Sequence, residues 1–251
     1  MPFFRMPDIF YTKPTAPDVL VSYGAKPMHS LSVRLPQGPG PHPLLFTIHG
    51  GQWKAAYRAK QLEYLCEDLK QHGVATCNIE FRRLGHVGGG FPGTFEDLQL
   101  ALSTARRHFA EWNIDEQRVS LFGHSSGGHL TFSLNGFRSG IGFTPYAMIG
   151  VAAVFDVEKV TGKFREVVDE FFAGAPTLSP VNVTQPPGTR QLVLVGARDK
   201  LVDQARDYVE KIPPGSNVTF KVIEKAAHFT VIDPSSQVWP EIRQAILDVA
   251  L

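Results

Sequence analysis

The sequence predicts an α/β fold with a mostly parallel eight-stranded sheet and helices on both faces. Two observations predict it. Short runs rich in Val, Ile, Leu and Phe alternate with helix-like segments, and strands buried on both faces of a parallel sheet read as such runs. A glycine-flanked serine also stands at a strand-to-helix junction, in Gly123-His124-Ser125-Ser126-Gly127.

The elements follow in order. Residues 18–23 and 29–35 read as an antiparallel pair, and the proline-rich stretch 36–43 as a loop. A strand at 44–48, a helix at 60–71, a strand at 74–81 and a helix at 94–109 come next. The pattern continues with a strand at 118–122, a helix at 127–134, a strand at 146–154, a strand at 191–195, a helix at 201–211, a strand at 217–223 and a helix at 238–251. The rhythm breaks between Phe155 and Pro187. There Phe164, Val167, Val168, Phe171 and Phe172 form an apolar stripe at helical spacing. Periodicity marks the apolar face without saying what covers it, so a helix packed on the core and a short lid-like insert at about 156–187 both stay open.

A chain of 251 residues lies near the upper end of what one hydrophobic core organises, so a single domain is expected. The 43% apolar and 20% charged composition argues against a disordered, fibrous or membrane class. A net charge of +1, with both signs scattered, leaves no field to hold nucleic acid or an anionic membrane. Charges and four prolines interrupt residues 1–20, so no signal or membrane-spanning run is expected there. The two cysteines, Cys66 and Cys77, fall in a helix-like and a strand-like stretch; both read as small buried residues of a cytoplasmic protein rather than a disulfide.

The chemistry centres on the G-x-S-x-G. A nucleophile on a sharp strand-to-helix turn sits on strained backbone, and glycines two residues away on each side let strand and helix approach. Ser125 has glycine at both offsets, whereas Ser126 has His124 two residues before it, so Ser125 is the candidate nucleophile. The Ser126 N–H can face a developing oxyanion from the helix N-terminus. Upstream, His49-Gly50-Gly51-Gln52-Trp53 follows a strand directly, and Gly51 and Gln52 are the candidate second half of an oxyanion hole. Trp53 reads equally as a core or rim aromatic and as a pocket wall.

A serine hydroxyl needs a base near neutral pKa, which histidine supplies with least tuning. Of the nine histidines, His228 in Ala226-Ala227-His228-Phe229 follows the last strand and lies after the nucleophile, as the order serine, acid, histidine requires. The acid is Asp199, just beyond the strand 191–195. Its rivals Asp203 and Asp207 fall one and two helical turns later. Phe229 and Phe164 are the further pocket candidates beside Trp53.

Residues 88–93 formally match G-x-G-x-x-G, but Pro92 interrupts the motif and no acidic residue stands at a following strand end. They read as a flexible loop leading to a helix capped at Thr94. His124 and His129 are too weakly patterned for zinc, and no metal or cofactor is expected.

On these residues the chain resembles the α/β-hydrolase superfamily across nearly its full length. His49–Trp53 with Gly123–Leu130 looks like the esterase and kynurenine formamidase (arylformamidase) branch. The stretches Glu80-Phe81-Arg82-Arg83, 88–97 and 228–234 are similar to small esterase-like and arylformamidase-like hydrolases. The resemblance implies Ser125, Asp199 and His228 as a triad, with Gly51, Gln52 and Ser126 around the oxyanion. It implies a small ester or amide as substrate. The expected reaction is acyl transfer from a small carboxylic ester or activated amide; rivals are an aryl formamidase, a ligand-binding protein that lost hydrolysis, and a lyase or cyclase using His228 alone.

Overall fold

The computed structural model describes residues 14–137 and 141–251, so most of the opening stretch 1–20 lies outside the described residues. Eight strands form one sheet: β1 (Val19–Ser22), β2 (Ser30–Arg34), β3 (His42–Ile48), β4 (Ala75–Glu80), β5 (Ile114–His124), β6 (Ala147–Val151), β7 (Arg190–Gly196) and β8 (Val218–Ile223). Their order across the sheet is β1-β2-β4-β3-β5-β6-β7-β8. β2 runs antiparallel to both neighbours, and every pair from β4 onward is parallel. This is the expected fold class, with the antiparallel opening in place.

Among the described residues six α-helices flank the sheet: α1 (Glu63–Gln71), α2 (Gly93–Arg106), α3 (Ser126–Ser133), α4 (Lys163–Phe172), α5 (Val202–Lys211) and α6 (Trp239–Ala250). Period-two alternation along the central strands feeds two cores. Leu44, Phe46 and Ile48 of β3, with Val193 and Val195 of β7, meet residues of α2, α4 and α5 on one face. Leu45, Leu192 and Leu194 point the other way and meet α1 and α6. Cys66 and Cys77 are buried and unpaired. No helix among the described residues is long and apolar enough to cross a membrane.

Three segments differ from the sequence expectation. β5 begins at Ile114 rather than near residue 118, because a register shift against β3 carries the pairing back through the polar Asp115-Glu116-Gln117. α2 is not capped by Thr94: the residue before the helix is Pro92, and the Thr94 hydroxyl instead donates to the Arg82 carbonyl at 2.7 Å. The glycine loop is close-packed rather than loose, since a Cβ at Gly89 would lie 1.9 Å from the Arg83 carbonyl oxygen and one at Gly93 would lie 2.0 Å from that of Gly88.

The stripe of the 155–187 segment is α4. Val167, Val168, Phe171 and Phe172 are buried, and the Phe171 carbonyl accepts the Phe91 N–H at 2.7 Å. Its apolar face therefore packs on the body of the fold.

Candidate active site

Strand register explains why distant residues meet. Ile48 of β3 pairs with Gly123 of β5, and Gly196 of β7 pairs with Ile223 of β8, so four loops leave the sheet at one edge. β6 lies between β5 and β7, leaving a gap of about 10 Å at two strand spacings. The His228 side chain fills it: the Ser125 hydroxyl lies 3.0 Å from His228 Nε2, and His228 Nδ1 lies 2.8 Å from Asp199 Oδ2.

Each member is held by local chemistry. Ser125 has φ 54° and ψ −121°, a conformation that L residues adopt only under constraint. Its N–H donates to the Val151 carbonyl at 3.1 Å, and its own carbonyl accepts from His129 and Val154 N–H, each at 3.2 Å. The flanking glycines are required by contact: a Cβ on Gly127 would sit 2.1 Å from the Ile48 carbonyl oxygen, and one on Gly123 would sit 2.4 Å from that of Gly127. Asp199 is buried, and its second oxygen accepts the Leu201 N–H at 3.0 Å. Gly196 lets the acid and base loops touch, since a Cβ there would lie 2.5 Å from the Ala226 carbonyl oxygen. Ser125 and His228 are half-buried, so both remain reachable.

The loop that carries the expected oxyanion donors meets the serine turn, since a Cβ on Gly50 would lie 3.0 Å from Ser125 Cβ. Gly51 has φ 116° and Gln52 and Trp53 have φ 56° and 57°, so the loop coils back towards the start of α3. There the Trp53 N–H donates to Ser126 Oγ at 3.4 Å. Among the described residues, the N–H groups of Gly51, Gln52 and Ser126 donate to no protein acceptor, whereas that of Trp53 is occupied.

The pocket candidates fare unequally. Trp53 is buried, with 3% of its surface exposed, and packs within the core cluster. Its indole N–H donates to His129 Nδ1 at 3.2 Å and its ring packs on Phe171. Phe164 is half exposed, because it sits on the first turn of α4, beyond the buried part of the stripe; the described contacts do not bring it to Ser125. Phe229 packs edge-on against the His228 ring. Two cavities, of about 230 and 510 Å³, include none of the triad or pocket candidates.

Three histidines that the sequence left without a role support the site. His129 Nε2–H donates to the Leu178 carbonyl at 2.7 Å, tying the 49–53 loop through Trp53 to the 155–187 segment. His49 donates from Nδ1 to the Gly50 carbonyl at 2.6 Å, and its Nε2 accepts from the buried Arg83 at 2.8 Å; Arg83 also pairs with Glu80. His124 donates to the His228 carbonyl. The only sequence signal was placement: all three sit inside or next to the two motifs, where a polar ring needs a buried partner.

Burial pushes all three imidazoles down, His129 to about 4 and His124 to about 3, the latter also through its neighbour His228. Their folded values lie below the ordinary value of 6.5, so as pH falls through 6.5 the unfolded chain takes up protons that the folded chain refuses. The stability linked to them is complete above that value and is lost as pH falls towards about 4 for His129 and about 3 for His124, at up to about 1.4 kcal/mol per pH unit for each of these two groups. Thermal unfolding should therefore shift to lower temperature between pH 7 and pH 5, and His129→Gln should flatten the slope. An unchanged midpoint over that range would contradict the neutral, buried assignment.

With this geometry in hand, the BD-FAE family model matches residues 31–169, more than half of the chain. The chain belongs to the BD-FAE family. The BD-FAE match runs from β2 through most of α4 and so includes both the 49–53 loop and the turn that carries Ser125. This BD-FAE chain is 27% identical to esterase LipC of Mycobacterium tuberculosis over 223 residues, which cover 76% of this chain and 54% of LipC. It is 28% identical to a probable isoprenylcysteine alpha-carbonyl methylesterase of Arabidopsis thaliana over 111 residues, which cover 44% of this chain and 23% of that protein. The chain thus spans about half or less of these relatives' length.

Among solved structures, esterase B from Lactobacillus rhamnosis, inhibited by a tributyrin phosphonate, superposes with a TM-score of 0.80 at 19% identity, covering 96% of this chain and 88% of the other. Esterase 2 of Thermogutta terrifontis in its propionate-bound form gives a TM-score of 0.75 at 18% identity, covering 92% of each chain. At these identities the likeness establishes the α/β-hydrolase fold of this BD-FAE chain.

Proposed function

We propose that this protein is a serine esterase that cleaves a small carboxylic ester or activated amide through an acyl-enzyme on Ser125. The observation that carries the reading is the unbroken line from Ser125 through His228 to Asp199, at 3.0 and 2.8 Å, with the serine in the strained elbow. The esterase relatives support the same class.

Each step follows from the atoms present. His228 Nε2 takes the hydroxyl proton as Ser125 Oγ attacks the acyl carbon, and the carbonyl oxygen becomes an oxyanion. The N–H groups of Gly51, Gln52 and Ser126 are the donors proposed to receive it; one such donor contributes about 3–4 kcal/mol to transition-state stabilisation. His228 then returns its proton to the leaving group, and water, activated by the same imidazole, releases the acid and frees Ser125. Asp199 holds His228 with its Nδ1 protonated and stabilises the imidazolium without accepting the proton. We also propose a cytoplasmic setting, supported by two buried, unpaired thiols.

A panel of short-chain aryl esters and aryl formamides tests the reading. Wild-type protein is expected to turn over phenyl acetate or butyrate with a higher kcat/KM than N-formylkynurenine. The reverse ranking would reassign it to formamide chemistry, and no turnover of any panel member would overturn the hydrolase reading.

A further inference from the structure

We propose that His124, the residue between Gly123 and Ser125, is a positioning residue that holds the base-bearing loop at the nucleophile through the main chain of the base itself. The inference deepens the serine esterase reading and rests on it.

His124 ends β5 and is buried, with 1% of its surface exposed. Its Nε2 lies 2.8 Å from the carbonyl oxygen of His228, 104 residues away in sequence. A carbonyl oxygen only accepts, so the proton sits on Nε2 and the bond has one direction. Its Nδ1 then carries the lone pair and has no hydrogen-bond partner among the described residues. That nitrogen faces Gly50 of the oxyanion loop, where a Cβ would approach it to 3.1 Å. The His124 ring also packs against His228, with centroids 4.8 Å apart, and against Phe229 at 5.8 Å. One side chain thus touches the base, its loop and the oxyanion loop from a position next to the nucleophile.

The loop needs such a tether. Its neighbours Ala226 and Ala227 are held by main-chain bonds to Arg198 and Thr230, but among the described residues no other main-chain hydrogen bond holds residue 228. The Asp199 contact alone orients the imidazole about one nitrogen and does not fix the main chain of residue 228. Fixing the carbonyl as well sets where Nε2 meets the serine. A displacement of about 1 Å at that point can cost 10²-fold in rate.

The test compares His124→Phe, which keeps a buried ring and loses the donor, with His124→Gln, which keeps a neutral N–H donor of similar reach. Three measurements apply: kcat and KM on an aryl ester, thermal unfolding, and the low-field proton resonance of His228 Nδ1–H bonded to Asp199. The Phe variant is expected to lose 10- to 100-fold in kcat, by the positioning argument, with KM within about twofold. Its low-field resonance is expected to broaden or vanish, and the Gln variant should recover most of both. Wild-type kcat and resonance in the Phe variant would overturn the proposal. So would equal loss in both variants, which would make ring packing the cause, or a change confined to KM. If the Phe variant does not fold, His124→Asn, whose shorter amide stops short of the carbonyl, takes its place against Gln under the same criteria. If the wild type cleaves no ester, the function reading fails, while the resonance still tests the tether.

Discussion

Ser125→Ala is expected to remove about 10⁶ from kcat while leaving a folded protein, because the members of such a triad act as a unit. The elbow that carries the residue is built from main-chain bonds to Val151, Val154 and His129 and from the close approach of Gly123 and Gly127, none of which uses the hydroxyl. Alanine can therefore occupy the same backbone, although φ 54° remains uncomfortable for either residue. What disappears is the atom that forms the acyl-enzyme. Residual turnover would come from the oxyanion donors and from substrate binding alone. Steady-state kinetics on an aryl ester with wild type and variant checks this, and a variant with most of its activity would mean that the nucleophile lies elsewhere.

Asp199→Asn is expected to cost about 10⁴ in kcat, for a reason the structure makes specific. One carboxylate oxygen accepts from His228 and the other accepts the Leu201 N–H at 3.0 Å. An asparagine must keep its carbonyl oxygen towards Leu201, since turning the amide would set two donors face to face at a buried site. Its NH₂ then faces His228 and demands a lone pair on Nδ1. The imidazole must move its proton to Nε2, where it can no longer accept from Ser125. The loss should fall on kcat with KM nearly unchanged, and the thermal midpoint should show that the variant is folded. A loss of less than tenfold would mean that Asp199 does not set the tautomer.

Much of this arrangement could be read from residue types and spacing. Apolar strands alternating with amphipathic helices predicted the parallel sheet, and glycines at fixed offsets from a serine located the elbow because sterics allow nothing larger there. Asp199 and His228 followed from chain order and from their places at strand ends. What stayed hidden depends on partners far away in sequence. The α4 stripe showed which face is apolar but not that Trp53 and Phe95 cover it. Trp53 offered no sign that its indole would bind His129, 76 residues on. The start of β5 was hidden by the polar, partly exposed Asp115-Glu116-Gln117, which break the apolar run that marks a strand. His124 was silent for the same reason: a lone histidine declares no partner until the fold brings residue 228 to it.

The proposed chemistry requires Ser125 to be the group that is acylated. Treating the purified protein with a fluorophosphonate and locating the adduct by peptide mass spectrometry measures this directly. One equivalent of adduct on the peptide carrying Ser125, absent from Ser125→Ala and from heat-unfolded protein, is the predicted result. A modified residue elsewhere, or a native protein that takes up no label while cleaving esters, would contradict it.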